Sequence, residues 1–172
     1  MNLKYATSES NLDGMWDVHS NKNMRVWETQ TLFLDVHHLP ISQLVSNQKV
    51  YDGDLLFNIG KGGFWKPYIK WLYEEHNDCV NKLKKQFPKV YIYQDGEIGW
   101  WNREEIRLQA WWYNQLSTAD GILVPNSTDV DFYKGIFPHS DIRVIRSVMT
   151  DIHLDKTKFK PKEDRVILNG PL

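Results

Sequence analysis

Asp95 stands just beyond a run of alternating aliphatic and aromatic residues, Val90-Tyr91-Ile92-Tyr93, within the tripeptide Gln94-Asp95-Gly96. A carboxylate placed past the end of a buried strand can accept a proton from a hydroxyl group or orient one. The tripeptide also has the composition of a plain turn, because Asp and Gly favour turns for backbone reasons alone; both readings stand. Trp100 and Trp101 follow in the same loop, and a tryptophan face stacks on a sugar ring through its C–H bonds. Adjacent side chains diverge, so one can line a cleft while the other is buried. Asn126, Ser127 and Thr128 open a helix, where free N–H groups suit an anion or a sugar hydroxyl, although a simple helix cap by Asn126 or Ser127 explains the same residues. Arg146 could meet a phosphate with two hydrogen bonds or form an ordinary surface ion pair. Asn58 leads into Gly60-Lys61-Gly62-Gly63, which lacks the spacing of a phosphate-binding loop and reads as a flexible turn. Gly14 lies in a long polar stretch, residues 7–23, that follows the first strand.

Positioning these residues requires a regular scaffold. Strands are expected over residues 1–6, 54–59, 89–93, 121–124 and 142–145, with a further one over 41–45. Helices are expected over 26–38, where apolar residues recur at helical spacing before Pro40, and over 64–87. In the second of these, Trp65, Tyr68, Ile69, Leu72, Val80, Leu83 and Phe87 share one face. Asn102 and Glu105 resemble a capping box for a helix reaching about Ser117, and residues after Pro125 form another ending near Phe137. Strand and helix alternate with short connections, which implies an α/β domain: a mainly parallel sheet in a Rossmann-like, three-layer arrangement. In such sheets ligands bind outside the carboxyl ends of the strands. That rule gathers Gly14, Asn58, Gln94, Asp95, Trp100, Trp101, Asn126, Ser127 and Arg146 at one edge.

Composition narrows the function. The chain has 172 residues, enough to bury a core without staples. A formal net charge of −1, with no long run of one sign, gives no electrostatic attraction for nucleic acid or an anionic membrane. No transmembrane segment or signal peptide is visible. The lone cysteine, Cys79, suits a reducing, cytoplasmic setting. His37 and His38 lack a third ligand at suitable spacing, so no metal site is implied; no cofactor is expected. Eight tryptophans, with the pairs Trp100-Trp101 and Trp111-Trp112, exceed what a minimal core needs. On the helical pair, one ring should face the sheet and the other should cover a neighbouring surface.

The run Ala119-Asp120-Gly121-Ile122-Leu123-Val124-Pro125-Asn126-Ser127, within residues 116–133, resembles the end of the first lobe in GT-B glycosyltransferases of the family 4-like group. There a helix ends in an Ala-Asp pair, a strand follows, and a polar turn leads into a short helix. Lys89-Val90-Tyr91-Ile92-Tyr93-Gln94-Asp95-Gly96 is similar to the strand and turn where such enzymes often carry a His-Asp or His-Gly pair; here Gln94 replaces the histidine. The glycine-rich loop after the family's first strand is represented only by Gly14. The lysine-rich stretch 151–164 and the segment 165–172, Arg-Val-Ile-Leu-Asn-Gly-Pro-Leu, resemble the linker and first strand of a second lobe. The resemblance implies an N-terminal, acceptor-side domain over residues 1–150 and a chain that stops as the second lobe begins. It implies transfer of a sugar from a nucleotide-diphosphate sugar to a hydroxyl acceptor, with little activity from this half alone. A stand-alone module binding a nucleotide or carbohydrate is the alternative. A small hydrolase lacks its Gly-x-Ser-x-Gly elbow.

Overall fold

The computed structural model describes residues 3–7, 37–59, 67–94 and 103–145. Six strands form one sheet: β1 (Leu3–Thr7), β2 (His37–Pro40), β3 (Asp54–Asn58), β4 (Val90–Tyr93), β5 (Gly121–Val124) and β6 (Asp141–Val144), in the order β2-β1-β3-β4-β5-β6. All five pairings are parallel. Among the described residues, five helices lie between them: α1 (Ile41–Ser46), α2 (Pro67–Glu75), α3 (Cys79–Lys84), α4 (Ile106–Thr118) and α5 (Ser127–Ile136).

Strand periodicity of two sorts the side chains onto two faces. Ala6, Leu55, Phe57, Val90, Ile92, Ile122 and Val124 join buried residues from every described helix, among them Leu44, Ile69, Leu83, Leu108 and Tyr133, in one large core. Tyr5, Leu56 and Tyr93 point the other way and form a second buried cluster with Leu3, Tyr91, Leu123 and Ile145 packed against it. Apolar burial on both faces is what a parallel sheet requires, and it makes this the expected α/β, Rossmann-like three-layer domain.

Several expected elements take another form. Ile41, Leu44 and Val45 are helical rather than extended: their spacing buries all three on one side of α1, directly after Pro40 in its extended conformation. His37 and His38 were expected at the end of a helix but pair in parallel with Lys4 and Tyr5. Pro40 is compatible with this because β2 is an edge strand. The rest of that expected helix, residues 26–36, lies outside the described residues. The long helix over 64–87 is two helices. Between α2 and α3, the carbonyl of Asn77 accepts hydrogen bonds from Trp111 Nε1 at 3.0 Å and Gln115 Nε2 at 2.7 Å, so it is engaged by α4. The helix then restarts at Cys79, whose Sγ and the Val80 N–H both meet Gln115 Oε1 at 3.2 Å. Burial pushes the Cys79 thiol up to about 12. At α4, Glu105 occupies the N-cap position without a side-chain cap, in place of the expected capping box; Asn102 is outside the described residues.

The amino edge is closed by Asp120. Its Oδ2 accepts the Val90 N–H at 2.8 Å, its own N–H donates to the Val90 carbonyl at 2.8 Å, and Lys84 Nζ lies 2.9 Å from its Oδ1. Burial opposes ionisation of this carboxyl, but the Val90 N–H and Lys84 outweigh it and hold its pKa below the ordinary value. Next to it, Gly121 leaves room for close strand approach: a Cβ there would lie 2.7 Å from the Asp141 carbonyl oxygen and 2.8 Å from the Tyr91 ring.

Two consequences are measurable by urea unfolding. Gly121→Ala should lower stability by about 1–3 kcal/mol through overpacking against backbone and ring. Asp120→Ala should cost about 1–3 kcal/mol at neutral pH, since it strands the Val90 N–H. Because the folded pKa of Asp120 is lowered, its contribution is complete above the unfolded carboxylate value and disappears as pH falls through the folded one. The stability gap between wild type and Asp120→Ala should therefore narrow below about pH 4.

A candidate ligand site at the carboxyl edge of the sheet

Parallel pairing sends every strand's carboxyl end to the same edge. Asn58 is in register with Tyr93, and Tyr93 with Leu123. The ladder continues one step further, with the Gln94 N–H on the Leu123 carbonyl and the Ile145 N–H on the Val124 carbonyl, each at 2.8 Å. Asn58 thus lies at the carboxyl end of β3, and Gln94, Asn126 and Ser127 follow the carboxyl ends of β4 and β5. Strand order also reverses there: β1 and β3 are neighbours, yet the chain proceeds from β1 to β2 on one side and from β3 to β4 on the other. The crevice at such a reversal is where open α/β sheets hold ligands.

The side chains fall into two groups. Asn58, fully buried, donates from Nδ2 to the Tyr5 hydroxyl at 3.0 Å, bridging the two strands that flank the reversal. Tyr93 lies beside Asn58 on the same face and is also buried. This polar floor of Tyr5, Asn58 and Tyr93 faces away from the described helices. Gln94 turns the other way. Its Oε1 accepts the Trp112 Nε1–H at 2.9 Å, and only 6% of the residue is exposed. Gln94, standing where the resemblance expects a histidine, thereby anchors the end of β4 to α4.

Asn126 is the N-cap of α5. Its Oδ1 accepts the Asp129 N–H at 2.9 Å, and its Nδ2 donates to Asp129 Oδ2 at 2.8 Å. Asp129 is buried in the first turn, where a negative charge complements the helix dipole. The capping reading of Asn126 therefore holds, and the exposed Ser127 is the first residue of the helix rather than its cap. Asp95, Trp100, Trp101, Gly14 and Arg146 lie outside the described residues, as do the turn 60–63 and the segment 146–172 with its expected linker and strand.

Sequence reading missed Tyr5, Tyr93 and Trp112 as parts of this edge. The alternation in Val90-Tyr91-Ile92-Tyr93 was the available signal for Tyr93, since it places both tyrosines of that strand opposite the aliphatic face. Trp111 and Trp112 are both buried, at 5% and 6% exposure, and each spends its single N–H on a partner beyond α4. Glu104, just ahead of α4 at the same edge, was also passed over. Burial, then the neighbouring Glu105, raises its carboxyl pKa above the ordinary value.

Comparison of the chain with protein-family models, with curated proteins and with solved structures finds no match. What is shown is an α/β, Rossmann-like fold with a parallel sheet and, among the described residues, no helix long and apolar enough to cross a membrane. The hydrogen bonds of Asp120 give a structural reason for part of the resemblance. The Ala119-Asp120 pair sits at the amino edge and fastens β5 to β4, a task that arises in α/β domains of any function.

The Gln94 anchor is open to test. Trp112→Phe keeps an aromatic ring and removes the donor, leaving Gln94 Oε1 buried without it. Stability should fall by about 1–3 kcal/mol, measured by thermal unfolding, and Gln94 side-chain amide resonances should move. Asn126→Ala should cost about 1 kcal/mol, with Asn126→Ser recovering most of that loss, as befits a cap.

Proposed function

We infer that the domain binds a nucleotide- or sugar-bearing ligand at the carboxyl edge of its sheet, as the acceptor-side lobe of a glycosyltransferase. The observation that carries the reading is the reversal of strand order at β1 and β3, directly over the buried Tyr5–Asn58 hydrogen bond. In open α/β sheets such a reversal is where ligands are held, and the buried Tyr5–Asn58 hydrogen bond adds polar groups beside it. Transfer from a nucleotide-diphosphate sugar requires an acceptor hydroxyl to lose its proton as its oxygen bonds to the anomeric carbon, while the nucleotide diphosphate leaves with the bonding electron pair. Asp95, following the anchored Gln94, is the residue we assign to accept or orient that proton. Trp100 or Trp101 would stack on the sugar, and Arg146 would meet a phosphate. The donor would be held mainly by a second lobe.

A second reading, a stand-alone nucleotide- or carbohydrate-binding module, is favoured by one observation: the Ala-Asp pair has a structural role here and does not by itself point to sugar transfer.

Calorimetric titration of the 172-residue chain with UDP-glucose and GDP-mannose separates the two. The half-enzyme reading expects weak binding or none. Saturable, one-to-one binding at micromolar concentrations would overturn it in favour of the module. With a donor lobe present, Asp95→Asn should lower turnover by about 100-fold or more with unfolding temperature unchanged; undiminished turnover would remove its catalytic assignment.

A further inference from the structure

Away from the carboxyl edge, a broad groove of about 1140 Å³ runs between the α2–α3 corner and the outer side of α4. Its base is rigid. Trp111 and Gln115 both hydrogen-bond the Asn77 carbonyl, and Gln115 also receives the Cys79 thiol and the Val80 N–H, so helices on the two sides are tied together beneath it. Tyr73 meets Trp111 edge-on, with ring centroids 6.1 Å apart and planes at 84°. Tyr113, 46% exposed, stands at the far rim, its ring 5.0 Å from that of Phe137.

The polar groups between these rings are mostly neutral. Asn77 and Asn81 come from one side and Asn114 from the other, all three exposed. The charged residues in the groove have partners close at hand: Glu74 with Lys70 at 3.9 Å, Asp78 with Lys82 at 3.1 Å, and Arg107 with Glu105 at 2.8 Å. An amide offers a donor and an acceptor together, which matches a hydroxyl that does both. An aromatic body with a polar tip is suited to a ligand that is apolar on one face and wet at its rim. Neutral amides flanked by aromatic rings, over a base fixed in advance, describe a surface for a polyhydroxylated, uncharged chain.

We propose that this groove binds a neutral oligosaccharide, at a site separate from the carboxyl edge. The outer surface of α4 supplies one wall, and Asn77, Asn81 and Asn114 supply the hydrogen bonds. Tyr73 lies along a sugar ring, and Tyr113 borders the far rim. The proposal does not depend on the glycosyltransferase reading, since a carbohydrate-binding surface serves a stand-alone module equally.

The test is a titration of isotope-labelled protein with maltohexaose and cellohexaose, followed through side-chain amide resonances. The expected result is saturable movement of the Asn77, Asn81 and Asn114 amides with at least one hexasaccharide. Asn81→Ala and Asn114→Ala alter exposed positions, and each should weaken binding at least threefold without lowering the unfolding temperature. The double variant should abolish saturation. No saturable movement with either sugar would overturn the proposal, as would movement confined to Asn58, Gln94 and Asn126. Tighter binding of a hexamer of galacturonic acid than of either neutral sugar would overturn the assignment of an uncharged ligand. UDP-glucose and GDP-mannose, titrated alongside, should leave the three groove amides unmoved, so failure at the edge and failure in the groove are read separately.

Discussion

Parallel hydrogen bonding among six strands imposes the rest of this architecture. Once neighbouring strands run the same way, each connection must return the chain from the carboxyl edge to the amino edge before the next strand can begin. The described helices are those return paths, and they pack together against one face of the sheet. The two edges consequently acquire different work. At the amino edge, chain segments arriving from helices must be fastened to starting strands, and Asp120 does this with Val90 and Lys84. At the carboxyl edge, strands release their loops, and side-chain hydrogen bonds take over on both faces, Asn58 to Tyr5 on one and Trp112 to Gln94 on the other.

The central strands were legible because their residues satisfy two demands at once. Leu55, Leu56 and Phe57 are apolar on consecutive positions, as a strand covered on both faces requires, and Gly53 and Gly60 bound the run. Helix α5 was legible from Asn126, whose short amide is well suited to the exposed N–H groups of a first turn. Residues 41–45 were misread because β-branched Ile41 and Val45 suggest a strand, while three apolar positions in one turn bury equally well in a short helix. His37 and His38 are strand residues only because β1 is there to pair with them, and no local pattern announces a partner more than thirty positions away. The break between α2 and α3 has a similar origin. Periodicity continues across it, but Trp111 and Gln115 claim the Asn77 carbonyl from a helix still to come in the chain.

The candidate site divides along the same line. The carboxyl edge itself was legible, since that needs only the order of parallel strands. The identity of its buried floor was not. Tyr5 and Asn58 lie 53 positions apart, and their hydrogen bond exists only because β1 and β3 became neighbours out of chain order. Gln94 follows β4 at the carboxyl edge, with its side-chain oxygen committed to Trp112.

The burial of Cys79 has a practical consequence. It is the chain's single cysteine, fully enclosed, hydrogen-bonded to Gln115, and reluctant to ionise. Alkylating reagents attack the thiolate, so in the folded domain this sulfur is shielded both sterically and electrostatically. Exposure requires α3 to part from α4, the same junction that supports the groove. The rate at which a thiol reagent modifies the protein therefore acts as a clock for the separation of those two helices, built into the native chain and needing no engineered label.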